Sequence, residues 1–420
     1  MKMLLRGMRM WGRVLFNIVW VSLLCTGVSQ ANGGWVIDRD EKAKSPLFKE
    51  SKAIANDMSQ EERERQAVAQ VYVAALDKYR AEIRAHWPAG EISSQTRWVS
   101  YSPAWDAKRV VDFEHNRVEI SVESKPVGRR IDFASLSATV REHLEDVIGT
   151  NIAAAVNQDP VNQAVIAKLD GLGADGATPS SELVLPELFT SSAPTEQEVR
   201  SRAMQLMKGA SIRYQALSAS LAALPVQTNN KITYVIPLPD NRIRQKVKEY
   251  APAVRMHSER FSLADDIVMA IIHTESHFNP LARSHIPAFG LMQIVPSTAG
   301  RDASRKLFKR PKLLSARYLY NPKLNIEVGA AYLNLLYYDY LSGIENPESR
   351  LYYSIAAYNA GASAVARAFI DQASLQKALP VINKMTPEQV LETLVNKAPH
   401  KETRQYVEKV LKRRGYYRRV

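Results

Sequence analysis

The sequence predicts an α+β N-terminal domain followed by a mostly α-helical domain that starts near residue 240. Two observations carry this. Helical apolar spacing on either side of residues 110–123 is interrupted there by alternation of apolar and polar residues. After Pro237 and Pro239, nearly every segment reads as helix. A length of 420 residues accommodates two domains, and a hydrophobic content of 46% suffices for their cores.

Residues 1–31 read as a secretory signal. Lys2, Arg6, Arg9 and Arg13 come first, an apolar stretch from Val14 to Leu24 follows, and Ser29-Gln30-Ala31 offers a cleavage point. The apolar run is short for a membrane span, although an uncleaved anchor helix stays open. Cys25 is the only cysteine, so a chain cut after Ala31 has none and no disulfide framework is expected. Residues 32–239 then form the first domain. Residues 35–60 are polar and irregular. A helix is expected from Gln60 to about His86, with Val68, Val71, Tyr72, Ala75 and Leu76 as its apolar stripe, and Trp87-Pro88-Ala89-Gly90 ends it. Residues 110–113 and 117–123 read as a hairpin turning at Glu114-His115-Asn116. Helical spacing returns from Phe133 to Leu169. A linker is expected near 170–200, where Asp170 to Ser181 is rich in Gly and Ser, and Ile232–Ile236 is one more strand. Within 240–420, helices are expected over Arg242–Ser258, Ala264–Glu275 and Asn325–Leu341; Tyr332, Tyr337, Tyr338 and Tyr340 of the last divide between core and exposed rings.

The second of these helices carries a carboxylate at its end. Ser262 and Asp265 suggest a capping-box start with Asp in place of Glu. Glu275 lies on the face of Ile267 and Ile271, which points inward, and Asn279-Pro280 ends the helix. A carboxylate there loses hydration, holds its proton near neutral pH and can act as a general acid. The plainer possibility is a glutamate on a frayed last turn, in water. Gly290 permits close approach of a ligand or another chain, and Gln293 offers donors and an acceptor suited to sugar hydroxyls and acetamido groups. Gly290-Leu291-Met292-Gln293 is equally a buried helix start. Ser354 to Gly361 sets small residues around Tyr358 and Asn359, as an ordinary helix–helix seam also would.

Several motifs stand in one order: Glu275-Ser276, Asn279-Pro280, Ala282, Ser284, Gly290-Leu291-Met292-Gln293, Pro296-Ser297-Thr298-Ala299, Asn325-Ile326, Gly329, Tyr332-Leu333, Ala357-Tyr358-Asn359-Ala360-Gly361 and Glu402-Thr403-Arg404-Gln405-Tyr406-Val407. Together they resemble the lytic transglycosylases of the goose-lysozyme-like class. Gly343 to Arg350 is similar to the branch of membrane-bound lytic murein transglycosylase C. The resemblance covers about residues 240–415, and a weaker one extends to residues 110–124. It implies a helical lysozyme-like (SLT) catalytic domain with a saccharide groove. Glu275 would protonate the oxygen between N-acetylmuramic acid and N-acetylglucosamine, then take a proton from the muramyl C6 hydroxyl as it attacks C1. The product would be a 1,6-anhydromuramyl end. Ser284, Gly290, Met292, Gln293, Tyr358, Asn359, Glu402 and Tyr406 would form the substrate site. Val295 departs from the family, where Met is frequent, and touches only a packing contact beneath a sugar ring.

The residues are consistent with that chemistry. Ordinary glycosidases need two carboxylates; here the neighbouring Asp302 and Glu327 read as solvated or capping. His273, His277 and His285 raise a zinc site, but Glu275 lies midway between the first two and off their face, so neither metal nor cofactor is expected. A hydrolytic lysozyme and a silent wall-binding scaffold are the rival functions. The net charge of +13 favours anionic polymers such as peptidoglycan, or anionic headgroups. The basic residues are scattered apart from Lys412-Arg413-Arg414 and Arg418-Arg419, read as a solvated face, which points away from nucleic acid. The expected location is the periplasm of a Gram-negative bacterium. Peripheral or lipid-anchored attachment to the outer membrane stays open, since Leu23-Leu24 before Cys25 make a poor lipidation signal.

Overall fold

The computed structural model describes residues 28–31, 34–37, 59–124, 132–177, 180–215 and 230–419. The basic and apolar parts of the expected signal, and Cys25, lie outside the described residues. Strand β1 (Val28–Ala31) pairs antiparallel with β2 (Gly34–Ile37). Residues from Arg65 to the C-terminus form a separate unit.

Helix α1 spans Gln60–His86, as its stripe predicts, and buries Val68, Tyr72, Leu76, Tyr79 and Ile83. Its start is a capping box: the Ser59 hydroxyl accepts from the Glu62 amide, and Glu62 accepts from the Ser59 amide. The expected hairpin is present as β4 (Ala107–Asp112) and β5 (Arg117–Ser124), in register Val110 to Glu119. Asn116 closes its turn at φ 53, which asparagine tolerates. These strands belong to a five-stranded antiparallel sheet of order β3-β4-β5-β7-β6, with β3 at Arg97–Tyr101, β6 at Ser211–Gln215 and β7 at Asn230–Pro237. The sequence pattern does not announce β3 and β6. Both are edge strands of five residues, and the alternation in β6 is carried by Ile212 and Tyr214 alone, too short a pattern to stand out.

Helical spacing over 133–169 resolves into α2 (Phe133–Gly149), α3 (Ile152–Gln158) and α4 (Pro160–Gly171). Asp132, Asn151 and Asp159 cap their starts, each accepting from a first-turn amide, and Pro160 opens α4. The segment expected as a linker is instead packed. The Asp175 amide donates to Leu313 O at 2.7 Å, Val184, Leu185 and Leu188 are buried, and α5 (Glu196–Met207) starts with a capping box at Thr195 and Glu198. Its Gly and Ser content suggests freedom; its apolar triplet Leu183-Val184-Leu185 anchors it.

The helical part contains α6 (Arg242–Arg260), α7 (Asp265–Ser276), α8 (Arg301–Phe308), α9 (Pro322–Asn334), α10 (Pro347–Ala360), α11 (Pro387–Lys397) and α12 (Lys401–Tyr417). Helix α9 continues into a wide turn, Leu335–Tyr340, which leaves Tyr338 and Tyr340 exposed. Buried polar groups join this part to the sheet-bearing part. Arg242 donates to Phe113 O and to Asn116 Oδ1, both at 2.7 Å. Asn279 donates to Gln95 O at 3.1 Å, and Tyr320 donates to Asn162 at 3.0 Å. Arg283, 1% exposed, pairs with Asp159 at 2.7 Å. A buried guanidinium is tolerated only with such partners, so the seam is fixed in register. No helix among the described residues is long and apolar enough to cross a membrane.

Candidate active site

Helix α7 forms because Ile267, Val268, Ala270, Ile271 and Ile272 are all buried. Its start differs from expectation. Ser262 is left-handed (φ 50), Ala264 takes the cap position without a side-chain bond, and no capping box forms. Asp265 and Asp266 in the first turn complement the helix dipole instead. Its end also differs. His277 (φ 50) and Phe278 (φ 62) are both left-handed, so the helix stops two residues before Asn279-Pro280.

Glu275 sits on the last turn and points inward, 6% exposed, which rules out a frayed turn in water. Tyr406 of α12 donates its hydroxyl to Glu275 Oε1 at 2.7 Å. Burial pushes the Glu275 carboxyl up to about 8; the Tyr406 hydrogen bond pulls it down, and the Glu402 charge pushes it up. Glu402 itself is exposed, one turn before Tyr406.

Residues 290–293 form a tight turn rather than a helix start. The Phe289 and Ile294 backbones exchange hydrogen bonds at 3.1 Å, and Gln293 N donates to Gly290 O at 3.1 Å. Gly290 (φ +77) is required by close approach of another chain segment, since a Cβ there would stand 2.3 Å from Leu319 O. Asn325 organises the turn: its Nδ2 donates to Phe289 O and Leu319 O, and its Oδ1 accepts from the Met292 amide at 2.8 Å. Met292 is fully buried with its sulfur against Gly329, so its side chain supports the turn from beneath and offers no ligand surface. The Gln293 Nε2 donates to Gly290 O at 3.0 Å, while its buried Oε1 has no hydrogen-bond partner among the described residues.

Helix α10 closes the site. The Tyr358 hydroxyl donates to Met292 O at 2.9 Å, and its ring lies 5.5 Å from that of Tyr332. Tyr358 is half-buried, and the charge of Glu275 acts on it, so the two are close. Thr403 of α12 donates to Asn359 Oδ1 at 2.7 Å. Glu275, Met292, Tyr358 and Tyr406 are thus drawn together, with Gln293 and Asn359 attached to their neighbours and Glu402 within electrostatic reach. Ser284 stands apart. Its hydroxyl bonds Ile286 O at 2.9 Å, its carbonyl accepts from Tyr72 at 2.5 Å, and no hydrogen bond joins it to Glu275. Asn325 and Thr403 carry no sequence signal of a site role beyond their place in the motifs.

The neighbouring carboxylates have other partners. Glu327 binds Arg260 at 2.6 Å, and Asp302 binds Arg305 at 2.7 Å. His273 and His277 are engaged by the last helix, at Tyr417 and Arg413, each at 2.8 Å. The basic tail is a solvated face only in part: Arg413 reaches His273 O and Arg414 binds Asp266, whereas Lys412, Arg418 and Arg419 are exposed, Arg418 while also pairing with Asp266.

A profile described as the Transglycosylase SLT domain matches residues 252–379. Membrane-bound lytic murein transglycosylase C of Pectobacterium atrosepticum is 40% identical over 220 residues, 50% of this chain, which spans only 61% of that relative's length. The 70 kDa soluble lytic transglycosylase of Escherichia coli aligns with 91% of this chain and 54% of its own at 18% identity, with a TM-score of 0.33. The protein of the same name from Haemophilus influenzae as from Pectobacterium is 32% identical over 316 residues, 73% of this chain and 87% of that one. With that coverage, and the motifs gathered around Glu275, the chain belongs to the membrane-bound lytic murein transglycosylase C family.

Proposed function

We propose that this protein cleaves peptidoglycan glycan strands as a lytic transglycosylase, breaking the β-1,4 bond between N-acetylmuramic acid and N-acetylglucosamine. The observation that carries the reading is Glu275, buried, without a cation among the described residues, and hydrogen-bonded by Tyr406. With its carboxyl up to about 8, it is protonated at neutral pH and can donate to the bridging oxygen as the bond to C1 breaks. The resulting carboxylate keeps the Tyr406 hydrogen bond and then removes the proton of the muramyl C6 hydroxyl, whose oxygen forms the new bond to C1. Glu275 ends protonated, and the sugar ends as a 1,6-anhydro ring without consuming water. One carboxylate suffices, because the nucleophile belongs to the substrate.

Gln293 Oε1 suits an acetamido N–H. Asn359 and Ser284 would contact the sugar, and Gly290 and Met292 would act by shaping the turn. We assign this chemistry to residues 240–420. The relatives are named membrane-bound, and we infer an envelope location in the periplasm, reached through the N-terminal segment. Mass spectrometry of muropeptides released from purified sacculi tests the reading. Anhydromuramyl ends are expected, and they should vanish in Glu275→Gln. Reducing muramic acid ends would mean that water attacks, making the protein a hydrolase.

A further inference from the structure

The turn that follows Glu275 is strained. His277 and Phe278 are consecutive left-handed residues, a backbone region that bulky side chains avoid, and such strain persists only where the surroundings hold it. Phe278 is held by burial, stacked on Tyr250 at 6.3 Å and beside His273 at 5.3 Å. His277 is held from α12. Arg413 donates one nitrogen to His273 O at 3.0 Å and another to His277 Nε2 at 2.8 Å. The two contacts flank Glu275 by two residues on each side.

The brace and the acid's own partner share one helix. Tyr406, which donates to Glu275, stands two turns before Arg413 on the same buried face of α12 as Val410. Burial pushes His277 down to about 4, so its ring is neutral at neutral pH and its Nε2 can accept from the guanidinium. A planar fork with fixed donors meets two acceptors at once, which a lysine cannot do in the same geometry.

We propose that Arg413 is a positioning residue for Glu275: it clamps the left-handed turn at the end of α7 and so holds the carboxyl turned inward and within reach of Tyr406. The inference rests on Glu275 being the acid. Its test is steady-state kinetics on soluble glycan strands, with thermal melts recorded for every variant. Arg413→Met should lower kcat about a hundredfold, the scale of a misplacement near 1 Å, with KM within about twofold. Adding His277→Gly to Arg413→Met should restore kcat at least about tenfold, because glycine takes a left-handed conformation without strain. Should Arg413→Met not fold, Arg413→Lys serves in its place, with a loss of about tenfold that His277→Gly again reverses.

A normal kcat in the folded single variant, or no recovery in the double variant, overturns the proposal. Glu275→Gln in the same series separates the two levels. An active Glu275→Gln removes the acid reading itself; an inactive one beside a fully active Arg413→Met removes the clamp alone.

Discussion

Two buried carboxylates in this protein sit in opposite electrical settings. Asp112, at the end of β4 by the seam, is 0% exposed and lies 2.5 Å from Arg97, with His115 at 3.0 Å. Glu275, at the end of α7, is 6% exposed and has a neutral tyrosine as its hydrogen-bond partner. Burial pushes both up. For Asp112, the His115 hydrogen bonds and the Arg97 charge outweigh burial and hold it below the usual range. For Glu275 burial wins. The same desolvation therefore leaves an anion that ties strands together in one place and a carboxyl protonated at neutral pH in the other. The hydrogen bonds donated to the carboxylate, together with the charge beside it, decide which.

The contrast is most exposed to Glu275→Gln, which should abolish wall lysis, a loss of at least about 10³-fold, while the fold stays intact. The stability effect has a definite sign. The folded carboxyl titrates at about 8, above its ordinary 4.5, so its stabilising contribution is complete below about pH 4.5 and is lost as pH rises towards 8. Gln carries no such dependence, so Glu275→Gln should be the more stable protein at pH 8 by on the order of 3 kcal/mol, and not at pH 4. Melting curves at both pH values check this; equal shifts at both would show that the carboxyl is not desolvated.

Tyr406→Phe should cost about ten- to a hundredfold in kcat, since it removes the donor that meets the carboxylate. It also removes the bond that pulls Glu275 down, so the basic limb of the pH–rate profile should move to higher pH.

Asp112→Asn is the reciprocal experiment. It removes the shortest of Arg97's ion pairs, leaving Glu91 and Glu119, and should destabilise the protein by about 2 kcal/mol in denaturant titrations. Glycan cleavage by the folded fraction should be unchanged, and a large kcat defect there would mean that the seam also tunes the acid.

Glu402→Gln should give the smallest change. Its exposed charge pushes Glu275 up, so its loss should move the basic limb to lower pH by about a few tenths of a unit, and added salt should erase the shift.

Much of the acid's environment is legible in the sequence. The spacing of Ile267, Ile271 and Glu275 puts the carboxyl on the buried face, and the alternation around residues 110–123 gives the hairpin. Legibility ends where local pattern and long-range contact disagree. Ser262 and Asp265 have the residue types of a capping box, yet Tyr338 donates its hydroxyl to Ser262 O and the cap moves to Ala264. Gly-Leu-Met-Gln has helical composition, yet Asn325 takes up the Met292 amide and ties down the Phe289 and Leu319 carbonyls, and a turn results.

The chain's order of residues settles which side chains are inward on each helix and strand, because that follows from periods of 3.6 and 2 within a few neighbours. It also supplies the chemistry, a lone glutamate and a late tyrosine. Their meeting is a different matter. Glu275 and Tyr406 are 131 positions apart, and so far removed a partner leaves no trace in local spacing. Folding alone brought a neutral hydroxyl rather than a guanidinium to that carboxylate, although Arg413 lies on the same helix, and in doing so it turned a buried charge into a held proton.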